Sequence, residues 1–263
     1  MSKENRTIYF EDELNDDFSP TNGEIKAKKI DGSYVYISKN PFYRLLSFIL
    51  RRAILPPVSF CYNKINFGVK FVNRKALRIA RKKKRGYFIY GNHTQHTADA
   101  FIPFELVQPS RAGMIVSPET VSIPFVGSVA KILGSIALPS DLKATKNYLN
   151  CLEYEINRGT AIGIYPEAHI WPYYTSIRPF GDASFHYPVK FNTPVYCFTN
   201  TYHQRRWRKT PKIITYVDGP FYPDESLNPT ERKKKLRDDV YNAMKKRSME
   251  NTYEFYHYIK KEK

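Results

Sequence analysis

Cysteine is scarce in this chain. Cys61, Cys151 and Cys197 stand far apart in 263 residues and are odd in number, which argues against a disulfide framework and suits a reducing cytosol. Acidic residues are also in short supply. Twenty-five Asp and Glu face 42 Lys and Arg, a formal net charge of +17. A chain so unbalanced seeks polyanions: nucleic acid, anionic lipid headgroups or phosphorylated substrates. The opening "MSKENRTIYFEDELNDD" lacks an apolar core, so no secretory signal is expected. No run reaches the roughly 18 apolar residues needed to cross a bilayer, so the expectation is a chain that lies on a membrane rather than through it. No Gly-x-Ser-x-Gly elbow occurs, which speaks against a serine nucleophile, and Cys197 inside an apolar strand reads as core.

What is present is a globular composition. Hydrophobic residues make up 42%, and 21 Tyr with 17 Phe raise the aromatic share to 15%, a surplus that serves a core or a lipid–water boundary. The length allows one large domain with an appended piece. Residues 1–40 read as an acidic leader, the acids being gathered in residues 1–20, where Glu4, Glu11, Asp12, Glu13, Asp16 and Asp17 outnumber Lys3 and Arg6. A mobile tail is expected there, with one short strand or hairpin at "SYVYIS". Residues 41–77 alternate apolar and aromatic residues with Arg and Lys around Pro56–Pro57. That predicts two short amphipathic helices at a proline bend, each too short to span a bilayer. As a bland alternative they pack on the domain; as a sharper one they anchor it, with Phe, Leu and Tyr in acyl chains and cations at lipid phosphates. The basic run "RIARKKKRG" follows.

Residues 78–263 alternate strand and helix. "GYFIYG", "AGMIVS", "AIGIYPE", "TPVYCFTN" and "KIITYVDGP" read as strands, several of them continuously apolar, as in a sheet covered on both faces. "ADAFIPFEL", "PFVGSVAKIL" and "SDLKATKNYLNCLEYEINRG" read as helices. The last is expected to be capped by Ser140, to end at Gly159 and to bury a stripe of Leu142, Thr145, Leu149, Leu152 and Ile156. A basic helix begins near Pro229 and leads to an aromatic tail. The fold class is therefore α/β, with a mainly parallel or mixed sheet flanked by helices and an N-terminal amphipathic two-helix element.

Polar groups at strand ends in such sheets mark sites, and two strand ends carry unusual text: "YGNHTQHTADAF" and "YPEAHIWPYYTSIRPF". His93, His96 and Asp99 could supply metal ligands, but residues six apart on one helix diverge and no cysteine cluster stands near. No metal is expected. A neutral histidine with a carboxylate on its other ring nitrogen can instead deprotonate a hydroxyl attacking a thioester. A polar helix cap is the bland reading of His93 and Asp99.

The second reading gains from a resemblance. "GNHTQHTADAF" resembles the Asn-His-x4-Asp signature of the glycerolipid acyltransferase superfamily, which includes 1-acylglycerol-3-phosphate acyltransferases. "IYPEAHIWPYYTSIRPF" resembles its Phe-Pro-Glu-Gly-Thr-Arg block, and "IPFVGSVAKILGSIALP" and "NTPVYCFTNTY" its second and fourth blocks, all in family order. The resemblance implies His93 as general base, Asp99 as its partner, and Asn92 and Glu167 among the substrate-holding groups. It implies acyl-CoA or acyl-carrier protein as donor, a lysophospholipid as acceptor and no bound cofactor. It also implies an anionic membrane surface as partner, with the protein peripheral on the cytoplasmic face of the cell membrane and no nucleic acid bound. Three departures stand out. Five residues separate His93 from Asp99, so the turn must bulge, or His96 pairs with Asp99 instead. Ala168 replaces the usual Gly. Ile170 replaces the usual Arg, so phosphate contacts fall to Arg178 first, or to Lys131 or His169. A phosphate-free acceptor, such as a glycolipid, and a non-catalytic binder of anionic lipid or nucleic acid remain as alternatives.

Overall fold

The computed structural model describes residues 6–19, 25–82 and 84–261. Glu4 and Lys3 of the acidic leader, and Lys83 of the basic run, lie outside them. The chain runs through β1 (Thr7–Phe10), α1 (Pro41–Ile49), α2 (Leu55–Phe67), β2 (Lys70–Val72), α3 (Arg78–Lys82) and β3 (Tyr87–Gly91). It continues with α4 (Ala98–Leu106), β4 (Arg111–Val116), α5 (Pro118–Ser122), α6 (Val126–Ile132), β5 (Ser135–Ala137), α7 (Leu142–Asn157) and β6 (Thr160–Ile164). Last come α8 (His186–Phe191), β7 (Val195–His203), β8 (Lys212–Phe221), α9 (Pro229–Ser248) and β9 (His257–Lys260).

Seven strands form one sheet in the order β2-β8-β7-β3-β6-β4-β5, parallel except at β7–β8. The central strand β3 is buried throughout and its side chains alternate between two cores. Tyr87 and Ile89 join Leu55, Phe67 and Ile102 on the face covered by α2 and α4. Phe88 and Tyr90 join Leu152, Leu236 and Val240 on the face covered by α7 and α9. The chain leaves β3 toward β4 on one side, while β7 pairs on the other. A crevice at the carboxyl end of β3 follows from that divergence.

Four expectations are corrected. First, the described part of the acidic leader is no tail. β1 pairs in parallel with β9, Thr7 opposite His257, and Phe18 N donates to the Ile170 carbonyl (3.1 Å). Second, "SYVYIS" forms no strand; the Tyr36 hydroxyl donates to the Ala137 carbonyl (3.0 Å) beside the edge strand β5. Third, α7 is capped by Asp141, whose side chain accepts from Ala144 N. Its buried stripe is Ala144, Tyr148, Cys151, Leu152 and Ile156, while Leu142 faces solvent. Ala144 and Tyr148, short or with a polar tip, were the positions a hydrophobicity count undervalues.

The fourth correction concerns the amphipathic pair. Asn40 caps α1 by accepting from Phe42 N and Tyr43 N, with Pro41 in the first turn where a missing N–H costs nothing. A wide helical turn, Leu50–Ile54, then joins α1 to α2, with Leu55 N reaching back to the Leu50 carbonyl. The wide turn takes the chain past Pro56 and Pro57, which cannot donate, without a break. Pro41–Phe67 is thus one helical segment of 27 residues, long and apolar enough to cross a membrane by length and composition. Every fourth residue of α2, Leu55, Ser59, Asn63 and Phe67, faces the protein. Asn63 donates to Glu105 (2.7 Å), Ser47 to the Ile132 carbonyl (2.6 Å), and Arg51 and Arg52 to the carbonyls of Ala112 and Pro109. Ser59 and Asn63 point inward beside Leu55 and Phe67, and Phe42, Leu45, Phe48, Ile54, Val58, Phe60 and Ile65 are exposed. An exposed apolar surface of that extent is unusual for a helix packed on a soluble domain.

Candidate active site

The site is built where β3 ends. Gly91 fits there because the Phe198 ring of β7 occupies the space a Cβ would take. Asn92 follows, buried. Its amide donates to the Asn200 carbonyl (3.1 Å) and accepts from Asn200 N (2.8 Å), tying the loop to β7. The Asn92 amide, expected among the substrate-holding groups, is thus engaged with the backbone of Asn200.

His93 Nδ1 lies 2.8 Å from Asp99 Oδ2. The Asp99 side chain is 2% exposed and that of His93 17%. The same carboxylate oxygen accepts from Gln95 N (2.9 Å), and Asn200 Nδ2 stands 3.5 Å from the other oxygen. The extra residue between His93 and Asp99 is thus absorbed by the loop before α4, whose first turn carries Asp99. An ionised carboxylate only accepts, so Nδ1 carries the proton and Nε2 presents its lone pair outward. Nε2 makes no hydrogen bond with the described residues. Burial pushes the Asp99 carboxyl above the usual carboxylate range, and the hydrogen bonds from His93 and the Gln95 amide oppose that push. His96 is exposed on the turn and does not pair with Asp99.

The imidazole is held from a second side. Tyr165, the residue after β6, stacks on it at 4.3 Å and 11°, and the Tyr165 hydroxyl donates to the Asp99 carbonyl (2.6 Å). Glu167 is buried at the base of the following loop. Its Oε2 accepts from His93 N (2.9 Å) and its Oε1 from Arg178 N (3.0 Å). Burial raises its carboxyl too, with the Arg178 guanidinium opposing. Glu167 therefore sets the His93 turn with both carboxylate oxygens. Ala168 adopts φ 63°, the left-handed region where glycine sits without strain.

Arg178 departs most from expectation. It is 1% exposed, and its guanidinium donates to the carbonyls of Glu167 (3.0 Å), His169 and Glu13 (3.3 Å) while lying 5.1 Å over the Trp171 ring. It braces the loop through these carbonyls. Lys131, at the end of α6, lies toward the amino ends of β4 and β5, away from His93. His169 alone stays at the rim, 3.6 Å from Asp17. Tyr165 and Asn200 escaped the sequence reading. The one legible signal for Asn200 was an amide inside an apolar strand.

The leader completes the loop. Trp171 is fully buried, its indole N–H donating to the Asp16 carbonyl (2.8 Å) and its ring packed by Phe10, Phe18 and Tyr258. Trp171 N and Tyr173 N donate to the carbonyls of His93 (3.1 Å) and Thr94 (2.9 Å). Among the described residues no group of three His, Cys, Asp or Glu side chains is placed to hold a metal.

This architecture is similar to that of a solved protein, the 1-acyl-sn-glycerophosphate (LPA) acyltransferase PlsC from Thermotoga maritima. The TM-score is 0.55 at 17% identity, over 78% of this chain and 86% of that one. The chain shares that protein's fold. No family model matches the sequence, and no curated protein does. The likeness is thus one of architecture, and the chemistry rests on the residues at the end of β3.

Proposed function

We propose that the protein is an O-acyltransferase that moves a fatty acyl group from a thioester to a lipid hydroxyl, with His93 as general base. The observation that carries this reading is the His93–Asp99 pair at a strand end of the acyltransferase fold, with Nε2 unencumbered. In the reaction the acceptor O–H gives its proton to Nε2 as its oxygen attacks the thioester carbonyl. The new C–O bond forms, the C–S bond breaks, and the departing thiolate takes the proton back. Asp99 fixes the tautomer and stabilises the imidazolium between the two transfers. Acyl-CoA or acyl-carrier protein serves as donor, no bound cofactor is needed, and lysophosphatidic acid is the first acceptor to try.

A second acceptor class has its own support. Arg178, the first candidate for a phosphate contact, is engaged by carbonyls, which favours an alcohol without a phosphomonoester. The outward apolar face of Pro41–Phe67 and its inward polar anchors support a helix lying on an anionic bilayer rather than crossing it. The β7–β8 tip adds to that surface: Arg205 and Thr210 bond the Asn66 carbonyl (2.7 and 2.9 Å), placing exposed Trp207 among Arg206, Arg208 and Lys209 at the end of α2. Lipid mass spectrometry of products from a panel of donors and acceptors tests the reading. One acylated product is expected; no product from any pair removes the enzyme assignment.

A further inference from the structure

A groove lies under α1, at the opposite end of the strands from His93. Its floor is where β4 and β5 begin, its walls the inner face of α1 and the last turns of α7. Its cavity volume is about 120 Å³, below the roughly 300–1,000 Å³ of clefts that enclose a whole ligand, so it has room for a headgroup rather than a whole lipid. Five cations line it: Arg44, Arg51, Arg111, Lys131 and Arg158. Glu155 is the one carboxylate among the lining residues, and its Oε2 accepts the Thr160 hydroxyl (2.6 Å). Among the described residues no salt bridge within 4 Å reaches any of the five.

Such a concentration of one sign is costly without a counter-charge. Arg51 is held by the Ala112 carbonyl, and Lys131 lies 4.3 Å over the Tyr34 ring. Arg158 bonds the Tyr154 hydroxyl. These contacts position the cations without neutralising them. Burial presses the side chains of Arg51, Lys131 and Arg111 toward their neutral forms. The Ser135 hydroxyl stands on the same wall, while that of Ser47 is taken by the Ile132 carbonyl. Guanidinium groups and hydroxyls around one space are the donors a tetrahedral oxyanion takes.

We infer that this groove is a binding site for a phosphate ester, occupied by the headgroup of an anionic phospholipid. The lipid assignment comes from the roof. α1 and the wide turn after it bring Tyr43, Ser47 and Arg51 to the groove, with Phe48 at its edge, while Phe42 and Leu45 are exposed away from it, so one helical segment stands between a phosphate site and an apolar face. A lipid seated there pins the amphipathic segment to the domain from outside the His93 crevice. The inference does not depend on acyl transfer.

Calorimetric titration of the purified full chain decides it, with inorganic phosphate, soluble dihexanoyl phosphatidic acid and dihexanoyl phosphatidylcholine as probes. Phosphate and phosphatidic acid are expected to bind wild type, and to bind the Arg111→Gln/Arg158→Gln variant roughly tenfold or more weakly, as loss of charged partners predicts. Glu155→Gln is expected to bind both severalfold more tightly, and it covers the case in which the double variant fails to fold. His93→Ala is expected to retain wild-type affinity for phosphate at the groove, which separates this site from the proposed catalytic one. Phosphatidic acid binding more tightly than phosphate supports the headgroup; equal affinities support the anion site and overturn the lipid assignment. No binding of phosphate to wild type, or unchanged affinity in both charge variants, overturns the site.

Discussion

Replacing Asp99 by Asn changes a carboxylate into an amide of the same shape in a fully packed position. In the wild type, one carboxylate oxygen accepts from both His93 Nδ1 and Gln95 N, 2.8 and 2.9 Å away. The amide keeps a single acceptor oxygen, and if its nitrogen faces His93 it selects the wrong tautomer. It also removes the negative charge that steadies the imidazolium. General-base catalysis contributes about 10²–10⁴-fold, so kcat is expected to fall by that factor, equivalent to about 3–5 kcal/mol in the barrier. KM should change little, because Asp99 is buried behind the histidine. Stability should change by no more than about 2 kcal/mol, since one mismatched hydrogen bond is offset by relief of a buried charge. Burial raises the Asp99 carboxyl in the folded state. The native protein therefore binds more protons than the unfolded chain between the ordinary carboxylate range and that raised value, and stability falls as pH rises through the window. Asp99→Asn should flatten the slope. Initial rates of thiol release from acyl-CoA give kcat and KM, with exposed Cys61 contributing a constant baseline, and urea titrations at several pH values give the slope. A variant with kcat within about threefold of wild type, far below the expected factor, would refute the role of the pair.

Arg178→Met should cost roughly 3–5 kcal/mol, since it leaves Glu167 buried without its cation and several carbonyls without donors; chemical denaturation measures it. Its KM for a phosphorylated acceptor should match wild type, and a large selective rise would instead give Arg178 a phosphate role. Ala168→Gly should raise stability by up to about 1 kcal/mol, because Ala168 holds φ 63° and only glycine adopts that region freely; an unchanged or lowered melting temperature would contradict the strain. Phe42→Ser with Phe60→Ser should weaken binding to anionic vesicles by about tenfold per ring, from about 1.5–3 kcal/mol for a fully buried side chain. Both rings are more than half exposed, so the melting temperature should hold; vesicle sedimentation reads the binding.

Much of the sheet was legible because its strands are unbroken apolar runs, and the limits of β3, α4 and β8 fall within a residue or two of the text that suggested them. The His93–Asp99 pair was legible from two residue types on one turn. Arg178 was not: a full positive charge is the side chain least expected in the interior, and its partners are carbonyls, which any sequence supplies anonymously. The β1–β9 pairing joins residues some 250 positions apart, so no local pattern announces it. The leader's acidic side chains suggested a tail, while its Phe10, Phe18 and backbone carbonyls do the packing on Trp171. Pro56–Pro57 marked a true irregularity and the wrong outcome, because the wide turn before them absorbs what would otherwise be a break.

The most direct test is the rate of ester formation by wild type and His93→Ala on the best donor and acceptor, with folding of both verified by near-ultraviolet circular dichroism. If the imidazole takes the acceptor's proton, the variant should lose about 10²-fold or more in kcat while still binding donor. Equal rates from two folded proteins would contradict the account.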